Sequence, residues 1–164
     1  MKEINVREIK ENPVSLISDG WGLLTAGSED GYNTMTVSWG ALGELWGKDV
    51  AIVFVRPQRY TKEFIDKNEY FTLCFFDDEY KKALQICGTK SGRDIDKAAA
   101  TGLTPAFDFE TAYFEEAKLV LVCRKIAAQD MDSKGFIDGD IENNYRSGDY
   151  HTTYVGEIVK VLEK

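Results

Sequence analysis

The chain has 164 residues, 43% of them hydrophobic and 12% aromatic, which is enough to bury one core and too apolar for a disordered segment. Its 20 basic and 28 acidic side chains leave a net charge of −8, which argues against binding a nucleic-acid backbone. No apolar run approaches the ~20 residues of a membrane-spanning helix, so no membrane association is expected.

Nothing along the chain marks a linker or a repeat, so residues 1–164 are expected to form one domain. Three Trp, eight Tyr and nine Phe tilt it towards sheet. Lys2 to Asn12 is a polar lead-in without a clear pattern. Trp21 to Ala26 reads as a strand, and the turn residues of Gly27 to Tyr32 join it to a second strand over Asn33 to Gly40. Alternation on that second strand puts Met35, Val37 and Trp39 on one face. Thr34, Thr36 and Ser38 fall on the other, a row of hydroxyls suited to holding something polar.

Val50 to Val55 is uniformly apolar and predicts a strand buried on both faces, stopped by Pro57. Thr61 can cap a helix running to about Asn68. Tyr70 to Phe76 is a further strand. Between Asp78 and Cys87 the apolar residues Tyr80, Ala83, Leu84 and Cys87 follow helical spacing, with Gly88 placed to end the helix. Asp94 to Thr101 predicts a short helix closed by Gly102. Strands are expected at Ala106 to Phe109, Lys118 to Ala128 and Tyr150 to Leu162, with Gly156 where a long strand could bend or approach another backbone. Many strands, few helices and no regular alternation of the two exclude a doubly wound nucleotide-binding sheet and fit a small barrel.

Cys74, Cys87 and Cys123 are widely spaced and odd in number, and His151 stands alone, so no metal site is expected. With no signal peptide in the sequence, these thiols point to a reducing cytoplasm. Gly20 to Thr25 approaches a dinucleotide fingerprint but ends in Thr and leads into a strand. Gly43 to Lys48 is too short for a P-loop. Asp138 to Glu142 has alternating carboxylates, but Asn143 stands where a calcium loop needs Gly, so an acidic surface loop is expected.

Cations do gather within this acidic chain. Arg56, Arg59 and Lys62 fall in one short stretch, and Lys90, Arg93 and Lys97 in another. Guanidiniums, hydroxyls and helix starts are the groups that bind a phosphate monoester. Taken in order, Met35-Thr36-Val37-Ser38-Trp39, Arg56-Pro57-Gln58-Arg59-Tyr60-Thr61 and Ser91 to Lys97 resemble the FMN-binding split-barrel flavoproteins of the flavin reductase-like and flavoredoxin-like branch. The likeness runs from the Trp21 strand to the closing strand at Tyr150 to Glu157.

That resemblance implies a mainly β fold with short helices, a Greek-key antiparallel split β-barrel, binding FMN at a homodimer interface. It implies that Arg59, Thr61, Ser91 and Lys97, joined by Arg56, hold the phosphate. The backbone of Met35, Thr36, Val37, Ser38 and Trp39 would meet the pyrimidine edge of the ring. Trp39 would either stack on the ring or fill the core beneath it, and Tyr60 is a second stacking candidate. Cys87 and Arg93 complete the implied contacts, although Arg93 could instead pair with Asp94 or Asp96. His151 would be the catalytic proton donor, titrating in the useful range, or else a half-exposed strand residue.

The function implied is a flavin reductase: hydride passes from NADH or NADPH to FMN, and electrons go on to free flavin or another acceptor. A flavoredoxin-type carrier, fed by a redox protein partner that its acidic surface attracts, is an alternative. A non-catalytic FMN-binding module is another, since fold alone does not fix chemistry.

Overall fold

The computed structural model describes residues 1–164. A short strand β1 (Lys2–Ile4) is followed by α1 (Pro13–Ser15), which Asn12 caps by accepting from the Val14 N–H and which runs into one π turn, Leu16–Gly20. The hairpin of β2 (Gly22–Ser28) and β3 (Gly31–Val37) comes next, then that of β4 (Gly40–Leu45) and β5 (Lys48–Val55). Helix α2 (Tyr60–Lys67) leads to β6 (Tyr70–Phe75), and α3 (Lys81–Thr89) and α4 (Lys97–Thr101) follow. Two-residue strands β7 (Pro105–Ala106) and β8 (Tyr113–Phe114) pair with each other. The chain closes with two long strands, β9 (Leu119–Asp130) and β10 (Thr152–Glu163).

One antiparallel sheet carries the fold, in the order β3-β2-β6-β9-β10-β5-β4, with β1 added to the end of β10. Its terminal strands, β3 and β4, are joined by only Ser38 and Trp39 yet share no ladder. The sheet nonetheless curls on itself. Met35 and Val37 of β3 share a single interior with Ala51, Val53 and Val55 of β5, from the opposite end of the strand order. Phe71, Leu121 and Tyr154 fill that interior, and Leu16, Ile17 and Ile65 plug it. A second cluster covers the outside, where Ala83, Leu84 and Cys87 of α3 pack over Leu23, Cys74 and Val122. This is the barrel with one open seam that the sequence implied.

Several sequence expectations need correction. The lead-in is not featureless, because β1 extends the sheet and Val6–Glu8 forms a 3-10 turn within an Asn5–Glu8 capping box. Strand β5 is not buried on both faces. Ala51, Val53 and Val55 face the core, while Ile52 and Phe54 are only half-buried because no layer covers that side of the barrel wall. Gly40–Leu45 is a strand that its small and polar residues concealed. The strand expected at Ala106 to Phe109 shrinks to Pro105–Ala106. Gly88 does not end its helix. It lies inside α3, where a Cβ would come 3.1 Å from Thr36 Cβ, so the missing side chain lets α3 lie close on β3.

Two hydroxyls of the row, those of Thr34 and Thr36, are taken up by the fold, while Ser38 lines a cleft described below. Thr25 pairs with Thr34 on one side and with Thr72 on the other. Thr25 donates to Thr34 Oγ1 at 2.9 Å, Thr34 is also 3.2 Å from the Leu24 carbonyl, and Thr36 donates to the Leu84 carbonyl. These threonines satisfy one another and the backbone beneath α3.

Gly156 behaves as its sequence position suggests. The β9–β10 register shifts beside it, and a Cβ there would fall 2.5 Å from Phe71 Cζ and 2.8 Å from Cys123 Cβ. Gly156→Ala should therefore lower stability by about 1–3 kcal/mol, the cost of overpacking a filled core, as read by a reduced denaturation midpoint.

Candidate functional site

Two clefts meet at the seam of the barrel and share Met35, Arg56 and Arg59. The larger, about 370 Å³, is polar, and the smaller, about 170 Å³, is bounded by Met35 to Trp39, Phe54 and His151. Small-molecule sites span roughly 300–1,000 Å³, and the pair falls in that range.

In the polar cleft, α2 begins without a side-chain cap. Its N-cap is Arg59, whose side chain does not bond back to the helix. The first amides of an eight-residue helix therefore open towards solvent with the positive end of its dipole. Thr61 is not the cap expected from the sequence. It sits inside the first turn, buried, where its Oγ1 accepts from Asn33 Nδ2 at 2.8 Å and keeps its own hydrogen free to donate.

Across the cleft, Ser91 opens a turn that takes up the start of the helix expected from Asp94: its carbonyl accepts from the Asp94 and Ile95 amides. Helix α4 starts only at Lys97, capped by Asp96. Gly92 packs against Asn33 and Tyr60 without room for a Cβ, which fastens this turn beside α2.

The cations sort into two groups. Arg56 pairs with Asp149 at 2.6 Å and donates to the Asn144 carbonyl at 2.9 Å, while Arg93 pairs with Glu63 and lies 4.4 Å over the Tyr60 ring. Arg59, Lys90 and Lys97 line the cleft without a carboxylate partner. Arg59 donates to the Gly88 carbonyl at 2.8 Å, and the buried Lys97 ammonium to the Thr34 and Cys87 carbonyls, each at 2.7 Å. Burial lowers the pKa of Lys97, the nearby Cys87 thiol opposes this, and Arg59 adds to it. An anion in the cleft would relieve that strain.

Five consecutive residues, Met35 to Trp39, line the smaller cleft. Side chains alternate along a strand, so an unbroken run means that the backbone edge itself faces the space. Strand β3 ends the sheet, and its outer edge of N–H and C=O groups has no strand partner. Trp39 does not fill the core: it is 48% exposed at the rim, with its ring 5.4 Å from His151.

His151 departs from both sequence expectations. It is buried, not half-exposed, and burial together with Arg56 pushes its pKa down to about 4, against the pull of Asp149. The imidazole is thus neutral at pH 7 and does not serve as an acid titrating near neutrality. Its Nδ1 lies 2.8 Å from the Tyr145 hydroxyl.

Of the residues singled out from sequence, only Cys87 and Arg93 stay outside both clefts. Cys87 lies in the core beneath, contributing only its carbonyl to Lys97, and Arg93 is drawn outward by Glu63 instead of by Asp94 or Asp96. Sequence reasoning missed Asn33, Phe54, Gln58, Thr89, Gly92 and Asp149 as lining residues, and noted Lys90 only as one of the gathered cations. Strict alternation along β5 could have found Phe54.

A barrel split along one seam, with a cationic cleft leading to an unpaired strand edge, defines the architecture of this chain. A profile of the flavin reductase like domain matches residues 14–164, and the chain belongs to that family. Flavoredoxin of Desulfovibrio vulgaris (Miyazaki F) superposes with a TM-score of 0.68 at 20% identity, covering 100% of this chain and 76% of its own. Flavoredoxin from Methanosarcina acetivorans gives 0.67 at 21% identity, over 100% and 75%. The FMN-binding protein from Thermus thermophilus gives 0.70 at 18% identity, over 99% and 80%. No curated protein sequence matches significantly.

The segment after β9 is held over the site by Asp149, which accepts from Arg56 and from Gln58 Nε2 at 2.8 Å. Hydrogen bonds from Gln58 and Arg56 hold its carboxyl below the usual range. This contribution is present above the unfolded-state pKa and is lost as pH falls through the lowered one. Asp149→Asn should accordingly raise amide exchange across residues 139–150 at pH 7, and acidifying the native protein below the ordinary carboxylate range should do the same.

Proposed function

We propose that this chain binds FMN across the two clefts and acts as an NAD(P)H-dependent flavin reductase, passing electrons on to free flavin or another acceptor. One observation carries the reading. In a protein of net charge −8, three cations without acid partners converge on an uncapped helix start. The donor set fits a phosphate monoester: Arg59, Lys90 and Lys97 supply charge, and Thr61, Ser91 and the first amides of α2 supply directed hydrogen bonds. The unpaired edge of β3 fits the pyrimidine rim, and Trp39, Phe54 and Met35 offer apolar contact to a flat ring.

When bound, FMN would supply the chemistry of accepting a hydride and releasing electrons singly or in pairs. The protein's part is to bind, orient and tune. The β3 edge can direct N–H groups at atoms that gain electron density, and neutral His151 adds a polar group that does not compete for protons at pH 7. Arg56 serves this site through Asp149 and the segment that Asp149 restrains. Exposed Trp39 and Val14 near the seam support a homodimer, since large apolar side chains there gain by being covered.

A flavoredoxin-type role draws on the same charge: with the cations sequestered in the cleft, the outer surface is acidic and suits a basic redox protein. Anaerobic addition of NADH or NADPH to the FMN-loaded protein separates the two readings. Bleaching of the visible flavin band within seconds to minutes is expected, and unchanged colour would exclude the reductase and leave the carrier or a non-catalytic FMN-binding module. Arg59→Ala should weaken FMN binding by roughly 1.5–3 kcal/mol, about ten- to a hundredfold in Kd, measured by quenching of flavin fluorescence. Unaltered affinity would remove Arg59 from the phosphate site.

A further inference from the structure

The acidic surface loop expected at Asp138 to Glu142 runs into a 3-10 helix, Gly139–Tyr145, that is exposed except at one residue. Tyr145 is its sole buried side chain. That ring is held from several directions: Phe136 stacks on it at 5.8 Å, Tyr150 lies 4.9 Å away, and the Arg56 guanidinium sits 5.1 Å over its face. Its hydroxyl is thereby brought to 2.8 Å from His151 Nδ1.

A phenol has one hydrogen to give, and here it has two neighbours able to accept. Met131 Sδ is 3.4 Å away and is a weak thioether acceptor, while the imidazole nitrogen is closer and far more basic. The hydrogen goes to Nδ1. The charged groups around the pair agree with this. Arg56 and Arg59 disfavour an imidazolium, Asp149 alone favours it, and burial outweighs Asp149. With Nδ1 accepting, the remaining proton must reside on Nε2. That atom has no protein partner, and it is not sealed in the core either, because Thr111 Oγ1 is the one buried side-chain polar atom left without a hydrogen bond. Since His151 borders the smaller cleft, Nε2 opens into it.

We infer that Tyr145 is a positioning residue: by donating to Nδ1 it fixes His151 as the Nε2–H tautomer, so that a neutral N–H donor faces the cleft beside Trp39. This rests on the proposed flavin-binding reading for the identity of the group that receives the hydrogen bond. It gives the segment after β9 a purpose beyond covering the seam. The Asp149–Arg56 pair anchors the segment, and Tyr145 is the side chain that the anchoring delivers. A neutral donor suits an atom that becomes electron-rich, because it stabilises charge without giving up its proton across the working pH range.

The chain contains a single histidine, so its imidazole nitrogens can be assigned without ambiguity. Long-range 15N–1H spectra of FMN-free protein labelled at histidine should show unprotonated Nδ1 and protonated Nε2 from pH 5 to 8. In Tyr145→Phe, which keeps the ring, both tautomers should appear and the imidazole pKa should rise by about one unit or more, since a bond to the neutral form is lost. A native protein carrying its proton on Nδ1, or a Tyr145→Phe protein with an unchanged tautomer and pKa, would overturn the assignment. Adding FMN separates this inference from the reading it rests on. If flavin fluorescence reports binding but the Nε2 resonance does not move, His151 faces something else and the inference fails alone. If no FMN binds, the proposed function fails, while the tautomer measured without flavin still decides the role of Tyr145.

Discussion

An antiparallel sheet that curls without closing must leave two strand edges unpaired, and the site is built on one of them. Here the ends of the sheet are β3 and β4, linked by Ser38 and Trp39, so the gap falls beside a two-residue connection. Unpaired backbone groups are costly when buried and attract other strands when exposed. Placing the edge of β3 along a cleft resolves both difficulties: water reaches it in the free protein, and a ligand with its own polar rim can replace the water. The rest of the fold keeps that edge in place. The Thr25–Thr34 hydrogen bond ties β3 to β2, and α3 lies close on β3 because Gly88 has no side chain to hold it off.

Electrostatics then divides the two clefts. The surface is acidic overall, yet the polar cleft gathers cations whose charges are only partly answered. Arg56 and Arg93 have found carboxylates, and Arg59, Lys90 and Lys97 have not. Unpaired cations packed this closely oppose folding, most of all Lys97, whose pKa is lowered chiefly by burial and further by neighbouring Arg59. An anion in the cleft would offset that repulsion, a common reason for sites to be less stable than they could be. The smaller cleft has the opposite character, with one neutral imidazole, aromatic walls and backbone polarity.

The segment between β9 and β10 connects these two environments. Its Asp149 engages the arginine at the junction of the clefts, and its Tyr145 reaches the histidine in the smaller one. Charge pairing at one end and a hydrogen bond at the other give an otherwise exposed acidic loop a definite geometry. Without Tyr145 the imidazole would have no partner for Nδ1 inside the protein.

Much of this was legible in the chain before folding was considered. Alternation and turn residues located β2, β3, β6, β9 and β10, and Gly156 announced the close approach that the β9–β10 register shift confirms. Local patterns succeed there because strand formation and turn chemistry depend on near neighbours. The segments at 35–39, 56–61 and 91–97, separate in the chain, come together around the two clefts. What they could not disclose was which group would be spent on the fold. The threonine hydroxyls bond to one another and to the backbone, Thr61 is a buried acceptor, and Cys87 lies in the core. The fate of each cation was equally hidden, because Arg56 meets its acid across 93 residues of sequence and Arg93 across 30. So was the neutral state of His151, which burial and Arg56 impose. The sequence by itself determined most of the longer strands, the reserve of cations and the residues of the β3 edge. Tertiary structure alone decided which charges were cancelled and which polar atoms stayed open, since both depend on groups that only folding brings within a few ångströms of one another.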